Sequence, residues 1–320
     1  MAQPDTAELT QASATERFRR QFFGPPGSPL EFEFGGATHV GRVRTENQDH
    51  FAVVERRRSQ AVLLSDLPSD ALPVADETAY SLVVVDGMGG ARFGEFASRF
   101  ALQTMFELTQ RASSWVMKLH DLDAEQIRQR VEAYVGALQA AFRQRIEADP
   151  DLAGMGTTWT SAHLFPPLAI IVHVGDSRAY LMRGGTLRQV TRDETMAQAL
   201  IDAGMDSHSV ERFTHVLLNS FGGDGRRVAA QIHPLALEPD DVLLLCSDGL
   251  TGMVGDDALL RALQSAESPQ AACDALVGMA LAAGGRDNVT AVAARVGESP
   301  GAAATSALAN AEPPRPPAEG

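Results

Sequence analysis

Apolar residues recur with helical spacing most clearly in AEQIRQRVEAYVGALQAAFRQRIEAD. There Ile127, Val131, Tyr134, Val135, Leu138, Phe142 and Ile146 fall on one face of a 3.6-residue repeat. Residues 93–110 and a segment near 268–283 also read as helices. The remaining apolar runs are short and read as strands. Phe51–Val54 and Ser81–Val85 predict two of them, separated by a polar, proline-containing loop near 67–76. In LAIIVHVGDSRAYLMRGGTLRQVT, apolar runs flank Arg183-Gly184-Gly185-Thr186, a β-hairpin signal. DVLLLCSDG and DNVTAVAARV predict two further strands on either side of the helix near 268–283. Strands arrive as hairpins and the two longest helices as a pair, which predicts an α+β fold and not a parallel βαβ sheet.

The 320 residues are 44% hydrophobic, enough to bury a sizeable core. Net charge is −14, from 27 basic against 41 acidic residues. A nucleic-acid partner is not expected, because phosphate contacts need clustered Lys and Arg. The short run Arg56-Arg57-Arg58 is the main exception and reads as a solvated loop. Cys246 and Cys273 are the only cysteines, without metal-type spacing, so a disulfide framework is not expected and a reducing cytoplasm fits. No signal-peptide pattern and no apolar run long enough for a membrane span is present, so no membrane partner is expected. Residues 1–30 and the Ala/Pro-rich residues 298–320 read as disordered ends around one domain, 31–297.

The candidate chemistry starts at SLVVVDGMGGARFGEFAS, where an apolar run stops at Asp86 and three glycines follow. A dinucleotide fingerprint fails: Arg92 takes the third glycine position, and residues near 107 lie within a helical pattern. A phosphate-binding P-loop fails as well, since Glu95 stands where its lysine must be. A metal site survives because the punctuation recurs. Apolar runs also end at Asp176 in VHVGDS and at Asp248 in LLLCSDG, and Asp287 opens the last strand in GGRDN. One such aspartate alone is most simply a turn residue. Several converging carboxylates need a shared counter-charge, and oxygen ligands without Cys or His select Mg²⁺ or Mn²⁺.

GRVRTENQDHF, VVVDGMGG with GEFAS, GMGTT, HVGDSRAYLMRGGTLRQVT, LLLCSDGLTGMV and GGRDNVT occur in that order. Together they resemble the metal-dependent protein phosphatases of the type 2C family, in particular its bacterial branch, over roughly residues 35–297. The resemblance implies a four-layer α-β-β-α sandwich of two antiparallel sheets, with metals at one end. It implies that Asp86 bridges two Mn²⁺ or Mg²⁺ ions beside the Gly87 carbonyl, and that Asp248 and Asp287 are ligands of the first ion. Asp176 matches a third, weaker site, Asp49 a carboxylate that holds metal-bound water, and Arg44 the arginine that grips the substrate phosphate. The implied activity is hydrolysis of phosphoserine and phosphothreonine proteins by a hydroxide between the two ions. A partner Ser/Thr kinase would supply those substrates.

Three positions depart from the family pattern, one being Gln48 in place of an acid found in some members. Met88 stands where many eukaryotic members carry a histidine proposed as proton donor, and a thioether cannot donate a proton. Thr191-Arg192-Asp193-Glu194-Thr195 replaces a frequent Asp-His-Ser, so Glu194 takes a histidine's place. The following segment corresponds to a variable flap; its His208 and His215 read as exposed loop residues. His39, His163, His173 and His233 read as structural, Cys246 as a buried small hydrophobe, and Thr157 and Thr158 as packing residues. Two other readings compete. A fold-retaining, catalytically weak phosphoprotein-binding module would be favoured by missing metal ligands, and a metal-dependent nuclease by a basic stripe; the sequence has neither feature.

Overall fold

The computed structural model describes residues 30–59, 61–64, 66, 76–89, 93–111, 124–223 and 227–298. The expected disordered ends and the loop near 67–76 lie almost wholly outside the described residues. The strands are β1 (Leu30–His39), β2 (Asp49–Ser59), β3 (Asp76–Met88), β4 (Gly156–Thr157), β5 (Trp159–Phe165) and β6 (Leu168–Val174). They continue with β7 (Arg178–Arg183), β8 (Thr186–Gln189), β9 (Phe221–Gly222), β10 (Gln231–Ala236), β11 (Val242–Cys246) and β12 (Val289–Glu298). The four long helices are α1 (Phe93–Arg111), α2 (Ala124–Ala148), α3 (Asp256–Ser265) and α4 (Pro269–Ala282).

One sheet has the order β1-β12-β11-β7-β8. The other runs β10-β6-β5-β3-β4-β9, with β2 also paired to β3. Every pairing is antiparallel. Strand alternation divides the apolar runs among three cores. Leu82 and Val84 of β3 meet Leu243 and Leu245 of β11 between the sheets. The intervening Val83 and Val85 face α1 and α2. Val242, Leu244 and Cys246 face α3 and α4. Strands covered on both sides lose the polar alternation of a solvated sheet. The expected four-layer α-β-β-α sandwich is therefore the observed fold.

On α2, Ile127, Val131, Val135, Leu138 and Phe142 are buried as the periodicity predicts, while Tyr134 and Ile146 lie at the margin. The hairpin at Arg183–Thr186 joins β7 to β8, and both turn glycines have positive φ (55° and 77°), as a two-residue turn of this kind requires. The first arm of that hairpin differs from expectation: the apolar residues on either side of the break at 175–177 are two strands in different sheets. Gly175, Asp176 and Ser177 carry the chain across between them. A run buried on both faces has no local mark saying which sheet it joins. β2 and β3 extend beyond the predicted strands, and α3 was not anticipated. Among the described residues, no helix is long and apolar enough to cross a membrane.

Replacing Leu243, fully buried between the sheets, by Ala should lower unfolding stability by about 2–5 kcal/mol in urea titrations. The same change at Leu63, 88% exposed, should stay within about 0.5 kcal/mol of wild type.

Candidate metal centre

Antiparallel pairing decides which strand ends meet. β2 starts at Asp49 directly across from Asp86, near the end of β3. β5 reverses between β3 and β6, so β6 runs alongside β3 and delivers Asp176 at the same end. In the facing sheet, β11 ends just before Asp248 and its antiparallel neighbour β12 begins just after Asp287. Asp49, Asp86, Asp176, Asp248 and Asp287 are therefore brought to one end of the sandwich.

The main chain under Asp86 is clamped on both sides. Its N–H donates to Thr158 Oγ1 at 3.0 Å, and its carbonyl accepts from Thr157 Oγ1 at 2.8 Å and Thr158 N at 2.9 Å. Thr157 and Thr158, expected only to pack, thus hold a candidate ligand in place. The Gly87 N–H donates to the Gln48 carbonyl, and a Cβ on Gly87 would lie 1.9 Å from the Gly94 carbonyl oxygen. No side chain fits there, which is why the glycine follows the aspartate.

Asp49 is buried, and its Oδ2 accepts from Ser247 Oγ at 2.6 Å and Thr290 Oγ1 at 2.7 Å. Its Oδ1 is buried with no hydrogen-bond partner among the described residues. An orphaned carboxylate oxygen in such a place is costly unless a cation or an ordered water faces it. Asn288 orders the loop that carries Arg44: it donates to the carbonyls of Val40 and Glu46 and accepts from Gln48 N. Sequence reasoning assigned no role to Ser247, Thr290 or Asn288. Their position beside Asp248 and Asp287 was the available signal.

The carboxylates oppose one another electrostatically. Burial, then repulsion from Asp49, Asp248, Asp176 and Asp287, pushes Asp86 well above the usual carboxylate range. Burial followed by Asp248 raises Asp176, and burial followed by Asp287 raises Asp248, which lies within hydrogen-bonding reach of Asp86. Burial lifts Asp49 to about 7 despite its two hydroxyl donors. Arg44 brings positive charge to this group: its Nη2 donates to Asp287 Oδ2 at 2.7 Å. Its half-exposed guanidinium therefore rests on a candidate metal ligand at the mouth of the basin. Among the described residues, no three acidic, histidine or cysteine side chains are already closed into an ion-sized cage. Repelling carboxylates have no reason to close without a cation between them. The donor set, the orphaned Asp49 oxygen and the shared location fit hard divalent ions.

The departures at positions 88 and 194 also find their places. The Met88 thioether packs at Gly156, where an added Cβ would lie 2.6 Å from it. Glu194 is bonded to the Gly175 N–H and the Asn219 amide, both at 2.8 Å. His173 is buried between Thr160 and the Gly175 carbonyl and held neutral, its pKa lowered by burial to about 4. His163 is lowered likewise, and His39 accepts from Gly41 N. His208 is exposed beside Glu211. His215 is 82% exposed, yet its Nδ1 lies 4.0 Å from Asp248 Oδ2, placing the flap at the edge of the basin. A separate cavity of about 70 Å³ lies under α1 and α2, lined by residues such as Leu102, Val131 and Trp159; none of the five aspartates lines it.

The family profile described as protein phosphatase 2C matches residues 67–280. The chain belongs to the protein phosphatase 2C family. It is 31% identical over 257 residues to the serine/threonine phosphatase stp of Listeria welshimeri, covering 79% of this chain and 91% of that protein. It is 35% identical over 219 residues to PstP of Mycobacterium tuberculosis, covering 67% of this chain and 40% of PstP. A solved structure of the catalytic domain of the serine/threonine protein phosphatase PstP, in complex with two manganese ions, superimposes with a TM-score of 0.63. That match has 31% identity and covers 84% of this chain and 100% of that one. Membership makes this chain a metal-dependent serine/threonine protein phosphatase using Mn²⁺ or Mg²⁺.

The raised carboxylates set a pH dependence for the metal-free protein. The Asp49 carboxyl ionises near 3.8 in an unfolded chain and near about 7 in the fold, so the native state binds the proton more tightly. Its stabilising contribution is complete below pH 4 and is lost as pH rises through about 7. In chelator, the Tm of wild type relative to Asp49→Asn should therefore fall across that window. Added Mn²⁺ should reduce or reverse the fall; a difference in Tm independent of pH would contradict this assignment.

Proposed function

We propose that the five-aspartate basin is the metal-dependent active centre of this phosphatase. Asp86, the Gly87 carbonyl, Asp248 and Asp287 would hold two Mn²⁺ or Mg²⁺ ions, and Asp176 a third. When bound, such a pair supplies an ionised water at neutral pH and positive charge against the phosphoryl oxygens. Asp49 keeps one oxygen on Ser247 and Thr290, leaving the other to orient a water within the basin. Arg44 projects a planar donor fork from the Asn288-ordered loop, the geometry that grips two phosphate oxygens at once. Its pairing with Asp287 gives that fork a resting partner which an incoming phosphate would replace.

The observation that carries this reading is the meeting of these aspartates at one end of the sandwich, with the Asp49 Oδ1 left unpartnered. The Ser/Thr phosphatase names of the bacterial relatives support phosphoproteins as substrates, with a partner kinase as their source. The two cysteines, both buried and free, fit a reducing cytoplasm. A phosphoprotein-binding module would share the fold without catalysis, so turnover decides between them.

The test is hydrolysis of p-nitrophenyl phosphate and of a phosphothreonine peptide, with Mn²⁺ and with chelator. Wild type should turn over both only with metal, and Asp86→Asn or Asp248→Asn should lose at least about 100-fold in kcat/KM. Arg44→Ala should act mainly through KM for the peptide. Metal-independent turnover, or full activity in the aspartate variants, would refute the assignment.

A further inference from the structure

Within the flap, residues 196–223, the stretch 196–218 has little core of its own. Ala197 and Val210 are buried, but Ile201, Met205, Val216 and Leu218 are exposed. Its attitude therefore depends on its neck. There Thr195 pairs with Leu217, Met196 N donates to the Val216 carbonyl at 2.8 Å, and Leu218 N donates to the Glu194 carbonyl at 2.7 Å. Glu194 stands at the root of this two-stranded neck.

The same residue reaches the inter-sheet crossing at Gly175. Glu194 N donates to the Gly175 carbonyl at 2.7 Å, and Glu194 Oε2 accepts from Gly175 N at 2.8 Å, closing a reciprocal pair. Oε2 also accepts from Asn219 Nδ2 at 2.8 Å, just past the neck, and that amide donates on to the Ala229 carbonyl at 2.6 Å. Gly175 has φ +110°, and a Cβ there would fall 2.7 Å from the Thr158 side chain. A residue with no side chain can be held only through its main chain, and Glu194 supplies two of those bonds. Asp176 is the next residue, and Thr158 is the clamp on Asp86.

We propose that Glu194 is a positioning residue that fastens the flap neck to the Gly175–Asp176 crossing, so that the flap and the Asp176 side of the basin move as one unit. Both partners of Oε2 are N–H donors, so the position requires an acceptor able to take two bonds on one atom. A carboxylate or an amide oxygen does this. An imidazole, which family members often carry here, offers at most one acceptor nitrogen. The coupling thus belongs to this chain's own substitution.

The test uses hydrogen–deuterium exchange on the metal-free protein, comparing wild type, Glu194→Gln and Glu194→Ala. Glu194→Ala should speed exchange by roughly tenfold or more in residues 196–218 and at 175–177 together, as expected when two donors lose a buried acceptor. Glu194→Gln should stay close to wild type, because its amide oxygen can replace Oε2. Loosening of only one segment, no loosening, or equal damage by Gln would overturn the proposal. If Glu194→Ala does not fold, Asn219→Ala cuts the flap-side bond alone; unchanged exchange at 196–218 would then count against it equally. The link to substrate rests on the phosphatase reading: Glu194→Ala should raise KM for a phosphothreonine peptide severalfold. An unmoved KM beside a loosened flap would overturn that link. Because exchange is read without metal or substrate, an inactive wild type would sink the phosphatase reading and leave the clasp standing.

Discussion

Repulsion among like charges is the constraint around which this molecule is arranged. Five aspartates from β2, β3, the β6–β7 crossing, the end of β11 and the start of β12 share one end of the sandwich. Four of them are pushed towards their protonated forms by burial and by one another. Left to itself such a group would disperse or take up protons. A divalent cation turns the same repulsion into ligation, which is the role proposed for the basin.

The surrounding structure keeps those acids from dispersing. Two antiparallel sheets with three apolar cores give rigid strand ends. Thr157 and Thr158 grip the Asp86 backbone, Ser247 and Thr290 hold one oxygen of Asp49, and Asn288 ties down the loop leading to Arg44. These small polar residues satisfy the main chain and aim the carboxylates. Glu194 extends the arrangement outward by joining the flap to the crossing that carries Asp176.

Much of this was legible in the sequence because burial on both faces leaves strong marks. Leu82-Val83-Val84-Val85 and Leu243-Leu244-Leu245 read as strands, and their abrupt ends at Asp86 and Asp248 exposed the chemistry. The face of α2 followed from spacing alone. The strand exchange at Gly175 was not legible: the break at Gly175-Asp176-Ser177 is visible, but the apolar residues on either side carry no mark of which sheet receives them. Ser247, Thr290 and Asn288 were marked only by standing beside Asp248 and Asp287, because hydroxyls and amides near strand ends resemble ordinary turn residues until their partners are known. Glu194 looked like the loss of a histidine; its contacts, 19 and 25 residues away along the chain, give it a different role.

The central claim is that the shared end of the two sheets is a cation site. Anomalous diffraction at the manganese edge from crystals grown with Mn²⁺ tests it most directly. The account predicts at least two strong peaks within ligand distance of the oxygens of Asp86, Asp248 and Asp287, with Asp49 Oδ1 turned towards a water beside them. Well-ordered crystals without a peak there, or with manganese bound only elsewhere on this acidic surface, would contradict it.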